Sequence, residues 1–303
     1  MMYISCKAMS ATPRAAIVAD DLTGACDTGV QLARGGEPCP VVVDHGFTAD
    51  SLDRLLLDHR ILVIDTETRH LSPQEAYKRV QRVAGAIRGQ GVGLVYKKID
   101  STLRGQVAAE IDGLRSVFPD RTIVIAPAYP AAGRSTVMGE CLVDGVPVHQ
   151  TEFGQDLRNQ VSSARIADYL PEHLSVQRTN VAALERTLKQ SAPGRMVVVD
   201  AMTDQDLSNA ARVLSSEPER YILVGSAGLA GALRDVDAFP VGGTTTKPAS
   251  RPERTRCRAI LGLVGSLRQR SREQADRLRH TREVTWIELS PGTAADAAHT
   301  ISA

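Results

Sequence analysis

LVYKKIDSTLRG, Leu94 to Gly105, joins a short apolar run to a dense polar cluster. The apolar half reads as a parallel strand buried on both faces, because such strands are continuous runs without polar alternation. The polar half begins where that strand ends. The same transition recurs in AIVADDLTGACDTG (Ala16 to Gly29), ILVIDTETRH (Ile61 to His70), IVIAPAYPAAGRST (Ile123 to Thr136) and ILVGSAGLAGAL (Ile222 to Leu233). Open α/β sheets bind ligands outside the carboxyl ends of their strands. Strands that deliver acids, bases, hydroxyls and glycines to one edge imply a small, polar, anionic ligand.

Working outward, further strands are expected at Val41–Asp44, Met196–Val199 and Ile260–Val264. Helical stretches fall between strands at Gly24–Arg34, Pro73–Arg88, Gly105–Val117, Val181–Gln190 and Asp204–Leu214. This alternation implies βαβ units. The expected fold is α/β: a mainly parallel sheet with helices on both faces, plus the beginning of a second α/β domain. Gly133–Asp156 breaks the rhythm and reads as a long functional loop with a short hairpin at Cys141–Val148. Residues 1–13 read as a loose extension and 14–235 as the main ligand-binding domain. Residues 236–257, rich in Gly, Thr, Pro and Arg, read as a linker. Residues 258–303 supply a strand, a helix near Gln269–His280 and a strand at Val284–Leu289. That is a short piece to bury a core alone.

Bulk properties exclude several classes. Lys and Arg total 36 against 35 Asp and Glu, so no global field favours nucleic acid or a membrane surface. Aromatics are 4% of the chain, too few for a base-stacking surface. Cys6, Cys26, Cys39, Cys141 and Cys257 are scattered and odd in number, which argues for reduced thiols in a cytoplasmic protein. No apolar run is long enough for a membrane helix.

Each polar cluster admits a functional and a plain structural reading. Asp20 and Asp21 precede a glycine that opens a helix. One of them binds hydroxyls or acts as a base, or Asp20 or Thr23 caps the helix. Adjacent aspartates lack the Asp-x-Asp spacing of haloacid-dehalogenase-type phosphatases. Arg69 suits a bidentate contact to a carboxylate or phosphate; its structural alternative is a turn before a helix capped by Ser72 with Pro73 at its first position. Lys98, Asp100, Ser101, Thr102 and Arg104 are too charged for a simple cap, because charge at a strand end is costly to bury unpaired. Arg134 follows a loop stiffened by Pro127 and Pro130. Gly225-Ser226 and Gly265-Ser266 both make a strand–Gly–Ser–helix turn able to meet an anion. Neither a P-loop nor a dinucleotide GxGxxG is present, and no metal-ligand set stands out.

Taken together, ADDLTGACDTG, DTETRH, KKIDSTLRGQ, APAYPAAGRSTVMGECLVDGVPVHQTEFGQD, GSAGLAGAL and GSLRQRSREQ resemble the four-carbon acid sugar kinase family, whose members include threonate, erythronate and 3-oxo-tetronate kinases. The resemblance runs in order from Asp20 to Gln274. It implies an amino-terminal domain for the sugar acid and a carboxy-terminal domain for ATP with Mg²⁺. It places Asp20, Asp21, Arg69, Lys98, Asp100, Ser101, Arg104 and Arg134 at the sugar acid, with Asp21, then Asp100, as the catalytic base. Gly265 and Ser266 fall in the nucleotide turn. Two departures stand out. Arg268 and Ser271 replace the usual residues of that turn, and the later Gly-rich nucleotide loop has no counterpart, PGTAA at 291–295 being a poor substitute. The resemblance therefore implies a truncated member, a sugar-acid-binding module, or one half of a split kinase. Its partners would be a sugar acid, ATP, and a homodimer mate or a second chain. A metal-dependent phosphohydrolase using Asp20 or Asp21 is the competing chemistry.

Overall fold

A computed structural model describes residues 14–33, 39–44, 59–156, 158–239, 269–281 and 284–287, with isolated positions at 46, 48, 50, 51, 54, 55, 262 and 264. The chain divides into two compact units, Met1–Thr245 and Thr246–Ala303.

The first unit is built on eight strands: β1 (Arg14–Ala19), β2 (Val41–Val43), β3 (Ile61–Asp65), β4 (Val92–Lys98), β5 (Thr122–Ala126), β9 (Val176–Asn180), β10 (Met196–Asp200) and β11 (Tyr221–Gly225). They lie in the order β2-β3-β1-β4-β11-β5-β10-β9, and every neighbouring pair is parallel. The order reverses around β1: the chain moves to β2 and β3 on one side, then crosses to β4 on the other. Such a switch point opens a crevice at the carboxyl ends of the flanking strands.

Both faces of the sheet are covered, as the apolar runs require. Val18, Ile64, Val95 and Ile125 face α2 (Pro73–Arg88) and α3 (Val107–Val117), where Val80, Ile87, Ile111 and Leu114 are buried. Ile17, Val63, Tyr96 and Val197 face the opposite layer. That layer holds α1 (Leu22–Ala33), α4 (Val181–Gln190), α5 (Asp204–Leu214) and α6 (Ala227–Asp235). Each fully buried aliphatic side chain contributes roughly 1.5–3 kcal/mol of burial free energy. The start of α2 is fixed by a capping box: the Ser72 hydroxyl accepts from the Glu75 N–H, the Glu75 carboxylate accepts from the Ser72 N–H, and Pro73 follows.

The elements missed in the sequence lie where the strand pattern is weak. Gly133–Asp156 is more than a loop with one hairpin. It carries a three-stranded antiparallel sheet of β6 (Arg134–Val137), β7 (Glu140–Val143) and β8 (Val146–Pro147). Strand β9 is an edge strand, mostly exposed, so its sequence VQRTN lacks an apolar run. In the second unit, α7 (Gln269–Thr281) matches the expected helix. Residues 284–287, expected to begin a strand, do not form one. The strand expected at Ile260–Val264 falls mostly outside the described residues; Gly262 and Val264 are not in a strand. No helix among the described residues is long and apolar enough to cross a membrane, and Cys26, Cys39 and Cys141 are free thiols.

Candidate active site at the carboxyl edge of the sheet

The turns after β1, β3 and β4 meet at the switch point. Asp20 leaves β1 and is 1% exposed. Its carboxylate accepts the Arg69 Nε–H at 2.6 Å, while its other oxygen is buried without a hydrogen-bond partner. Arg69 sits in the turn after β3 and is itself 9% exposed. Its Nη1 bonds the Asp21 carboxylate, so a single guanidinium bridges both aspartates. The backbone fixes this arrangement, because the Thr68 and Arg69 N–H groups donate to the Asp20 carbonyl at 2.9 and 3.1 Å.

Asp21, rather than Asp20 or Thr23, makes the capping contact at α1: its Oδ1 accepts the Gly24 N–H at 2.8 Å. Burial raises the Asp21 pKa, against the pull of Arg69. A side chain at Gly24 would displace the Asp21 carboxylate and the Lys98 ammonium. A Cβ there would lie 2.7 Å from Asp21 Oδ1 and 2.8 Å from Lys98 Nζ.

Lys98, the last residue of β4, is 5% exposed. Its ammonium donates to the Ile99 carbonyl at 2.9 Å and makes no ion pair among the described residues. Burial lowers its pKa, while Asp20, Asp100 and Asp21 pull it back up. A buried cation with spare donors, facing the first turn of a helix, suits an oxygen-rich ligand.

The turn after Lys98 is tightly wound. Leu103 has φ +65° and Gly105 φ +103°. For a branched residue such as Leu103, that left-handed conformation is strained. The turn brings Arg104 back onto Asp100, whose carboxylate also accepts the Thr102 hydroxyl at 2.5 Å. Burial works against the Asp100 charge, yet Arg104, with Arg69 and Thr102, outweighs it and holds the carboxyl well below the usual range. Ser101 is half-buried, and its carbonyl accepts the Cys141 thiol at 3.2 Å. That contact ties the turn to the small sheet.

Arg134 opens β6. The guanidinium carbons of Arg104 and Arg134 lie 5.3 and 5.9 Å from the centroid of the buried Phe153 ring. Arg104 also reaches Asp156 at 3.5 Å, and the Arg134 Nε is buried without a partner. Two cations on one aromatic ring form an anion-facing pair held by cation–π attraction.

Every nominated side chain of the first unit therefore lies on the carboxyl edge or on the small sheet beside it. Phe153, Asp156, Asp65 and Glu110 were not nominated. Asp65, at the end of β3, is fully buried with one oxygen unpartnered, and burial raises its pKa. The Gly225-Ser226 turn serves the fold. The Ser226 hydroxyl donates to the Ala128 carbonyl at 2.7 Å and accepts the Gly228 N–H at 3.0 Å. Gly265 and Ser266 lie outside the described residues, as do Arg268 and 291–295.

Fold and site together define an α/β domain that gathers buried acids and cations at a sheet switch point. The family model of a sugar-binding N-terminal domain matches residues 15–233. The chain is 35% identical over 271 residues to a D-threonate kinase of Salmonella typhimurium, covering 86% of this chain and 59% of that protein. It is 34% identical to a D-erythronate kinase of Heliobacterium modesticaldum, covering 85% of this chain and 58% of that protein. A solved domain of unknown function from Bordetella bronchiseptica is 34% identical with a TM-score of 0.65, covering 74% of this chain and 56% of that one. It is described with bound citrate and as a domain-swapped dimer. The chain belongs to the four-carbon acid sugar kinase family, and it spans about three-fifths of the length of the curated relatives it matches.

Proposed function

We propose that this chain binds a four-carbon sugar acid of the threonate, erythronate or 3-oxo-tetronate type as the substrate-holding part of an ATP-dependent kinase. The observation that carries this reading is the meeting of Asp20, Asp21, Arg69 and Lys98 at the switch point, beside the Arg104–Arg134 pair over Phe153. The two arginines clamp the substrate carboxylate, and Lys98 and Asp21 read its hydroxyls. Asp21 orients the reacting hydroxyl and accepts its proton. Of the two candidate bases it is the better, because burial raises its pKa whereas Asp100 is held strongly acidic by Arg104. Asp20 and Arg69 hold Asp21 in place, and Ser101 lies at the rim.

ATP, as its Mg²⁺ complex, would supply the transferred phosphoryl group. Gly265 and Ser266 are outside the described residues, and no group of three His, Cys, Asp or Glu side chains among the described residues suits a metal ion. The metal-dependent phosphohydrolase gains no support from an Asp20–Asp21 pair bridged by a guanidinium.

A second reading, a sugar-acid-binding module without turnover, is favoured by the match of the sugar-binding family model to residues 15–233. Under either reading the protein works in the cytoplasm, as a homodimer or with a second chain. Calorimetric titration with D-threonate, D-erythronate and L-threonate, with and without Mg-ATP, tests both. Sugar-acid heat together with ADP release supports the kinase. Sugar-acid heat without ADP supports the module. No heat with any acid rejects both.

A further inference from the structure

Directly beneath the site runs a polar line that touches none of the side-chain groups assigned to substrate. Lys97, on β4, is 0% exposed, and Glu110, on α3, is 1% exposed. Lys97 Nζ lies 3.1 Å from Glu110 Oε2. The same ammonium donates to the Lys98 carbonyl at 2.9 Å and lies 3.4 Å from the Val18 carbonyl. The other Glu110 oxygen accepts the Thr68 hydroxyl. The Thr68 hydroxyl lies 2.8 Å from that of Thr66, which donates to the Ala19 carbonyl at 2.6 Å.

This line reaches the backbone of β1 at Val18 and Ala19, the backbone of β4 at Lys98, and the turn after β3 at Thr66 and Thr68. Each contact is within three residues of a site group: Asp20, Lys98 itself, or Arg69. A buried ion pair adds little to stability compared with well-packed apolar residues, so stability alone does not explain a pair in this position. Its reach into all three strand ends does. Groups that orient a site from behind commonly change affinity or activity by 10–100-fold when removed.

We propose that Lys97, Glu110 and Thr68 are positioning residues that lock the ends of β1, β3 and β4 in the register that sets Asp20, Arg69 and Lys98 for the ligand. The proposal rests on the sugar-acid reading for its ligand, and on nothing else in that reading.

The test is the double variant Lys97→Met/Glu110→Leu, which removes both charges and keeps the volume, beside Thr68→Val and Thr68→Ser. Expected is a melting temperature of the double variant within a few degrees of the parent. Its affinity for the sugar acid bound by the parent should fall tenfold or more. Thr68→Val should lose affinity by a similar factor, and Thr68→Ser, which keeps the hydroxyl, should restore it. A folded double variant with parental affinity overturns the proposal. So does an affinity loss equal in Thr68→Val and Thr68→Ser. Should the double variant fail to fold, the two Thr68 variants decide the matter. Should the parent bind no sugar acid, the functional reading fails by itself, and the proposal is judged without ligand from the Arg69 Nε–H resonance. A shift of that resonance in Thr68→Val but not Thr68→Ser supports the lock, and its constancy in both refutes it.

Discussion

The two halves of one sheet edge carry their charges in opposite ways. At the ends of β3, β1 and β4, the Asp20–Arg69 pair has side chains only 1% and 10% exposed. At the ends of β10 and β9, the Asp200–Arg178 pair is 15% and 46% exposed. The second half has the room: a hollow of about 680 Å³ lined by Arg178, Asp200, Met138 and Met202 among others. Its charged groups are nevertheless committed. Asp200 accepts the Gly139 N–H, and Asp206 accepts the N–H groups of Met202 and Thr203. The first half has unpartnered buried oxygens on Asp20 and Asp65, and a buried ammonium on Lys98. Open space is cheap on a protein surface. Buried charge is costly, so it concentrates where a fixed partner or a ligand compensates it.

The largest effect expected is on folding. Asp20→Ala leaves the buried Arg69 guanidinium with Asp21 alone and should lower stability by about 3 kcal/mol. Asp200→Ala frees a half-exposed arginine and should lower it by about 1 kcal/mol. Urea denaturation of both variants measures the difference. Equal losses would break the comparison between the two halves.

Arg104→Ala should weaken sugar-acid binding by about 2–4 kcal/mol, since it takes one of two arginines from the ligand carboxylate and the ion-pair partner from Asp100. Arg178→Ala, from the open hollow, should leave that affinity unchanged. Calorimetry on the pair locates the ligand. A loss confined to Arg178→Ala would move the site to the other half of the edge.

Acid sharpens the contrast within the first half. The folded pKa of Asp100 is depressed, so its stabilising contribution is complete above the unfolded value of about 3.9 and fades as pH falls toward the folded value. Asp21 has the opposite sign. Its folded pKa is raised, so ionisation in the folded state disfavours folding as pH climbs from about 3.9 through the folded value. Denaturation curves of Asp100→Asn should therefore approach the parent's as pH drops below about 4. Those of Asp21→Asn should gain on the parent as pH rises. Parallel curves for the two variants would mean the two carboxyls share one environment.

Most of the sheet was legible because its central strands are apolar on both faces; β3 at Ile61–Asp65 and β5 at Thr122–Ala126 have the expected bounds. The edge strand β9 was illegible for the converse reason. In the site, the strand-end clusters announced Asp20, Arg69, Lys98 and Arg104, but no pattern told which face each side chain takes. Lys97 and Lys98 look equivalent in the string KKID. Alternation sends one to Glu110 and the other toward Gly24. Glu110 did leave a signal. Val107, Glu110, Ile111 and Leu114 fall at i, i+3, i+4 and i+7, so a carboxylate occupies an apolar-face position of α3. Phe153 and Asp156 lie in the resembling block that ends HQTEFGQD, but no spacing singles them out, because only tertiary packing returns them to Arg104.

The smallest effect concerns the Gly225-Ser226 turn, which like the neighbouring end of β5 carries no charge in the middle of the edge. Its sequence suggests an anion cradle, yet its hydroxyl is spent on the Ala128 carbonyl and the Gly228 N–H, and the Tyr96 hydroxyl donates to the Ser226 carbonyl at 2.5 Å. Ser226→Ala should thus behave as a lost helix cap, destabilising by about 1 kcal/mol with sugar-acid affinity unchanged. Thermal denaturation and calorimetry on one sample measure both. If affinity falls while stability holds, the turn is part of the ligand site, and the charge-bearing half of the edge extends across β11.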